Sequence, residues 1–136
     1  LLTSGADLVI GSRYIEDRGY ITPFARRVGI VILARVISWI TRQHFTDPTS
    51  GFRASGGRAI ALCARAYPHD YPEPEAVVLL HRAGLTLREM PVTMNPRYGG
   101  VSSITPLKSG MYMFKVLLAI GIGLLRPPLR PDAPAE

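Results

Sequence analysis

Disulfide bonding is excluded first, because the chain has a single cysteine, Cys63. Its apolar surroundings suggest a buried structural thiol. The histidines His44, His69 and His81 lack metal-ligand spacing, so no metal site follows from the sequence. Zinc-finger spacing, an aromatic-rich strand motif and a lysine-rich run are all missing, which argues against nucleic acid as a partner. The opening "LLTSGADLVIGSRY" has no initiator methionine and lacks the charged, apolar and small-residue order of a signal peptide. Its first apolar residues read as the end of a helix feeding a strand, the pattern expected of an N-terminal truncation. After Lys115 only ten apolar or glycine residues follow, against the about 20 that a membrane span requires. No internal repeat is present.

What is there is sufficient for one α/β unit. The chain has 136 residues and 47% hydrophobic content, enough for a single core. A net charge of +6 comes from 16 basic against 10 acidic residues, nearly all the basic ones arginine. Arginine favours bidentate pairing with phosphate or carboxylate, so charge alone admits anionic lipids and phosphorylated ligands.

"ADLVIGS" (6–12) is a short apolar run after a glycine, as in a buried strand. Thr22 and Pro23 read as a cap and a first-turn proline for a helix running to about Gln43. That helix, through "VGIVILARVISWI", is apolar nearly all round. It is expected to be deeply buried, or to face lipid or another part of the protein. "TDPTSGFRASGG" (46–57) reads as a turn-rich loop before a short helix at 57–66. "DYPEPE" (70–75) reads as a stiff extended loop, because proline fixes φ and biases the residue before it away from helix. "AVVLLHRAG" then forms a helix with Glu75 at its start, where the dipole would hold the carboxylate ionised. "LTLREMPVTM" is a strand ended by Pro96, and a last helix begins at Pro106.

The ordered set "GADLVIGSRY", "DPTSGFRA", "YPEPE" with "RAGLTLREMPVTM", and "RYGGVSSI" with "YMFKV" resembles family 2 glycosyltransferases, in particular the dolichyl- and polyprenyl-phosphate sugar synthases. The resemblance covers about residues 5–126. It implies an α/β fold that is the C-terminal part of a GT-A (Rossmann-like) domain, in which a nucleotide sugar lies across the carboxyl ends of the strands. Residues 1–105 would be the C-terminal half of the catalytic domain. Residues 106–126 would form a hydrophobic membrane-interface helix and 127–136 a disordered proline-rich tail. The implied partners are a nucleotide-diphosphate sugar, a polyprenyl or dolichyl phosphate and the cytoplasmic membrane face. The family uses Mg²⁺ or Mn²⁺ through an Asp-x-Asp motif, which this sequence lacks, so the chain resembles the acceptor-side half.

By the same resemblance, Arg13 and one of Arg26 or Arg27 would bind the acceptor phosphate; the alternative is a solvated basic helix start. Relatives often place a serine after the arginine pair, where this chain has Gly29. Asp47, Thr49, Ser50, Gly51 and Arg53 would line the sugar and diphosphate pocket, or else form an Asp-Pro turn with Arg53 paired to an acid. Arg97, Ser102 and Ser103 would belong to a mobile loop over the acceptor, or to an ordinary flexible connection. Glu75 would sit near the acceptor nucleophile. A hydroxyl acceptor would need it as general base. A phosphate monoester, with a second pKa of about 6, would not, and Glu75 would then orient the sugar. A third expectation is a membrane-associated module without catalysis.

Overall fold

The computed structural model describes residues 5–16, 22–94 and 106–129, with only the backbone of residue 25 and of residues 106–110. Its frame is set by β1 (Leu8–Ser12), buried along its whole length. Such a strand must be covered on both faces, which is why its residues do not alternate with polar ones. It is the middle strand of a three-stranded sheet with order β2-β1-β3. β3 (Leu87–Pro91) runs parallel to it, with Leu8 opposite Leu87 and Ser12 opposite Pro91. β2 (Arg53–Ser55) runs antiparallel, with Ile10 opposite Arg53.

Two sequence expectations change here. The 46–57 segment is not all loop, because Arg53–Ser55 pairs with β1; three residues carry too little pattern to announce a strand. The strand expected to end at Pro96 ends at Pro91, where its ladder with β1 runs out.

Helix α1 (Phe24–Thr41) begins one residue later than the Thr22 cap predicts. Pro23 holds the N-cap position in an extended conformation (ψ 136°) without a side-chain cap, and the Thr22 hydroxyl bonds the Tyr14 phenol instead, at 2.8 Å. The helix stops at Thr41, short of Gln43, because Arg42 turns left-handed (φ 52°). Ile30, Leu33, Ala34 and Ile37 form its buried stripe, the i, i+3, i+4, i+7 spacing of one helix face. Val28, Ile32 and Trp39 remain exposed, so the nearly continuous apolar sequence does not mean burial all round.

Helix α2 (Gly57–Ala66) lies where the sequence puts it. Cys63 on it is half-buried rather than fully buried, and that burial still pushes its thiol pKa up. The "DYPEPE" expectation is corrected: Pro72 to Glu75 form the first turn of α3 (Pro72–Arg82). A first-turn N–H has no partner inside the helix, so proline there sacrifices no bond and its fixed φ suits the helix. Asp70 and Tyr71 stay outside the helix, with Tyr71, the residue before Pro72, held at φ −134°, ψ 65°. At the other end Leu85 N–H donates to the Leu80 carbonyl and Gly84 N–H to the His81 carbonyl. With Gly84 at φ 77° this is a Schellman stop, which turns the chain directly into β3.

Helix α4 (Pro106–Leu125) packs on α1 and α3. Val116 and Ile120 enter the core formed by Leu8, Ile10, Leu33, Ile37 and Val77. A Cβ at Gly29 would lie 3.2 Å from the Met113 side chain, so the glycine after the arginine pair allows α4 this close to α1. Arg82 then ties the far end of α4 by donating to the Gly123 carbonyl at 2.5 Å and the Arg126 carbonyl at 2.7 Å. Among the described residues no helix is long and apolar enough to cross a membrane.

Candidate functional site

At the carboxyl end of β1 the chain emits Ser12 and Arg13 into a loop that returns from residues 46–51. Asp47 is fully buried there. Its carboxylate accepts from Arg13 Nε at 2.5 Å and Nη2 at 2.7 Å, and from the Arg13 backbone N–H at 3.3 Å. The bidentate geometry is what makes burial of both charges tolerable. Thr49 bridges the pair, accepting from Arg13 Nη2 at 3.2 Å and donating to Asp47 Oδ1 at 3.0 Å. Ser50 donates to the Gly11 carbonyl at 2.6 Å, closing the loop onto β1.

Glu89 on β3 holds the same loop from the other side. It accepts from the Thr46 N–H at 2.7 Å, the Thr46 hydroxyl at 2.8 Å and the Asp47 N–H at 2.8 Å. Because Thr46 gives its one hydroxyl proton to Glu89, Ser12 Oγ is the donor in its 2.5 Å contact with Thr46 Oγ1. Sequence reading did not single out Glu89. Its signal was parity: it shares a strand face with buried Leu87, and an acid on an inward face needs donors.

The two helix-start arginines separate, as neighbours about 100° apart on a helix must. Arg27 lays its guanidinium over the Tyr14 ring, 3.7 Å from the centroid, while Arg13 lies 5.3 Å from the same ring. Arg26 is exposed and within electrostatic reach of Tyr112 on α4. Tyr14 and Arg27 line an open cleft of about 310 Å³ along α1. Ala34 and Phe45 are its buried wall, Arg35 and His44 its exposed rim. Ser38 fixes the far wall by accepting from the Phe45 N–H at 2.9 Å.

Glu75 and Arg53 meet their surroundings at the start of α3. Glu75 accepts from the Tyr71 N–H at 3.2 Å. Burial pushes its carboxyl pKa up, the Tyr71 hydrogen bond opposes this, and Asp70 adds to it. The net direction is opposite to the one a helix dipole alone would give. Arg53 is half-buried, and that desolvation lowers its pKa against the counter-charge of Glu73. It donates to the Ser50 and Pro48 carbonyls, both at 2.7 Å, so its fork shapes the loop. Gly51 lies beside Glu73, whose Oε1 would be 4.0 Å from an added Cβ. Tyr112 packs edge-on against Tyr71 at 5.2 Å, and burial with Glu73 nearby raises its phenol pKa.

The structure therefore joins Arg13, Asp47, Thr49 and Ser50 in one network, links Arg27 to it through Tyr14, and sets Gly51 and Arg53 against Glu73. Arg97, Ser102 and Ser103 lie outside the described residues. Among the described residues no group of three His, Cys, Asp or Glu side chains could hold a metal ion.

Compared with known proteins, the chain is similar to glycosyltransferase AglJ of Haloferax volcanii, at 30% identity over 114 residues. Those residues are 83% of this chain but 38% of that protein, so the chain spans well under half the length of its relative. No family model matches the chain, and no solved structure does.

Proposed function

We propose that the chain is the acceptor-side part of a GT-A, family 2 glycosyltransferase that moves a sugar from a nucleotide diphosphate to a polyprenyl or dolichyl phosphate at the cytoplasmic membrane face. The observation that carries this reading is Arg27, stacked on Tyr14 two residues past the end of β1 and lining an open cleft along α1. A guanidinium held flat presents its N–H fork to a phosphate. The similarity to a named glycosyltransferase supports the reaction class. In this reading Arg13 acts through its pairing with Asp47, which fixes the floor of the site, and Arg27 makes the phosphate contact with Arg26 adding charge. Thr49 and Gly51 border the sugar pocket, whose shape Asp47, Ser50 and Arg53 maintain. The divalent cation that a nucleotide diphosphate calls for would have its ligands elsewhere in the protein.

A phosphate monoester is largely dianionic at neutral pH, so the lipid phosphate attacks the anomeric carbon without a base, the nucleotide diphosphate leaves, and Glu75 orients the sugar. One observation favours a second reading. The raised Glu75 pKa brings that carboxylate nearer the pKa of an effective general base, as a glycan hydroxyl acceptor would require.

The test uses the whole protein with labelled nucleotide sugars, a divalent cation and polyprenyl phosphate, and scores label in the organic phase. Lipid-linked product is expected, and Arg27→Ala should weaken the acceptor by about 1.5–3 kcal/mol with nucleotide affinity unchanged. Label confined to water-soluble glycan, together with a loss of about 10²-fold or more in Glu75→Gln, would move the assignment to the hydroxyl acceptor.

A further inference from the structure

We infer that Tyr14 is a positioning residue of this site, the platform that orients the Arg27 guanidinium towards a phosphate monoester in the cleft along α1. The inference rests on the proposed role of Arg27 and adds what sets that role. Tyr14 is fixed through its backbone and through the tip of its side chain. Its backbone N–H donates to Ser12 Oγ at 3.2 Å, inside the Glu89-anchored network, and its phenol bonds Thr22 Oγ1 at 2.8 Å. The ring therefore bridges the end of β1 and the entry to α1, one residue ahead of the Pro23 N-cap.

Arg27 sits in the first turns of α1, where its backbone N–H donates to the Pro23 carbonyl at 3.0 Å. A free arginine side chain samples many rotamers, and ordering it on binding costs affinity. At 3.7 Å from the ring centroid the guanidinium is in cation–π contact. A guanidinium over a ring face keeps its N–H bonds in its own plane, so its edge is available to a ligand beside it. Tyr14 and Arg27 both line the cleft, so that edge borders the space a ligand would enter. Arg13, 5.3 Å from the same ring centroid, is held by its pairing with Asp47, whereas Arg27 lies closer over the ring. Tyr14 touches no reacting atom in this arrangement; it acts through Arg27.

The experiment measures binding of farnesyl phosphate to the full chain by calorimetry, with inorganic phosphate as a second arm. Tyr14→Leu should weaken binding about fivefold, and Tyr14→Phe, which keeps the ring, should stay within about twofold. In an Arg27→Ala background Tyr14→Leu should add no further loss, which a merely structural role for the ring would not produce. The same ring dependence for both probes assigns recognition to the phosphate itself. Ring dependence for farnesyl phosphate alone assigns a lipid headgroup.

If Arg27→Ala weakens binding by more than about tenfold but Tyr14→Leu stays within twofold of wild type, the positioning role is refuted and the Arg27 site stands. If Arg27→Ala changes nothing, the site itself is refuted and Tyr14 with it. Should Tyr14→Leu not fold, the wild-type chain decides the question by NMR. The ring stack requires an upfield ring-current shift of the Arg27 δ protons, and unshifted δ protons would overturn the inference.

Discussion

At the residue scale the Arg13–Asp47 pair governs the site. Both side chains are almost fully removed from solvent, and a buried charge that loses its partner is strongly destabilising. Asp47→Ala should therefore cost about 3–5 kcal/mol in urea unfolding. Arg13→Met combined with Asp47→Leu removes both charges and should recover part of that loss; a double variant no more stable than Asp47→Ala would show that the pair's burial is not the cause. Glu75 makes a second prediction at this scale. Its folded pKa is raised, so the proton binds the folded chain more tightly, and stability from this group is present at low pH and lost as pH rises through the folded value. Glu75→Gln, which keeps an acceptor for the Tyr71 N–H, should melt at or slightly above wild type at pH 7. The gain should be under about 1 kcal/mol, because the side chain is mostly solvated. It should disappear as pH falls towards 4.5, the ordinary value. A gain that grew on acidification would contradict the assigned direction.

At the element scale two left-handed positions end helices with opposite fitness. Gly84 (φ 77°) closes α3 with no penalty, whereas Arg42 (φ 52°) closes α1 with a Cβ in the region that disfavours one. Gly84→Ala should lower stability by about 1–2 kcal/mol and Arg42→Gly should raise it by up to about the same amount. Paired thermal melts check both. Equal effects of the two changes would mean the φ values do not control these stops. The start of α3 teaches a related lesson. Local preference for the residue before proline argues for a loop at 70–75, but the first-turn tolerance of proline prevails from Pro72 onward. The result places Glu75 one turn into a helix, with its carboxylate turned back onto the Tyr71 N–H.

At the scale of the whole molecule, α1 and α4 keep apolar side chains in solvent after the core is complete. Phe24 is 83% exposed and Phe114 68%, and Leu118, Ile122 and Leu125 continue the α4 stripe. With a net charge of +6 this surface suits an anionic lipid interface, where apolar insertion and charge attraction add. The chain should co-sediment with phosphatidylglycerol vesicles, less so at high salt. Phe114→Glu with Leu118→Glu should release it while the fold persists by circular dichroism. Unchanged vesicle binding in that variant would remove α4 from the interface.

The sequence by itself determined the elements whose rules are local. The unbroken apolar run of β1 and the Gly84 stop of α3 each act within a few residues, and α2 lies at the 57–66 its pattern gives, whereas the start of α3 moves to Pro72. The arginines and the Asp-Pro loop are singled out through the family resemblance, and the structure places Arg13, Asp47, Thr49 and Ser50 of that set in contact. What only the tertiary structure decided is which groups meet. Arg13 finds Asp47 across 34 positions and Glu89 finds the Asp47 N–H across 42, because β1 and β3 lie side by side and the loop between α1 and β2 folds over their ends. The same packing turns Asp47 and Ser50 inward, stacks Arg27 on Tyr14, leaves Val28, Ile32 and Trp39 of α1 exposed and reverses the expected pKa direction of Glu75. A periodic pattern records which face an element buries. The pairing of charges depends on distances between elements, and those are fixed only when the core closes.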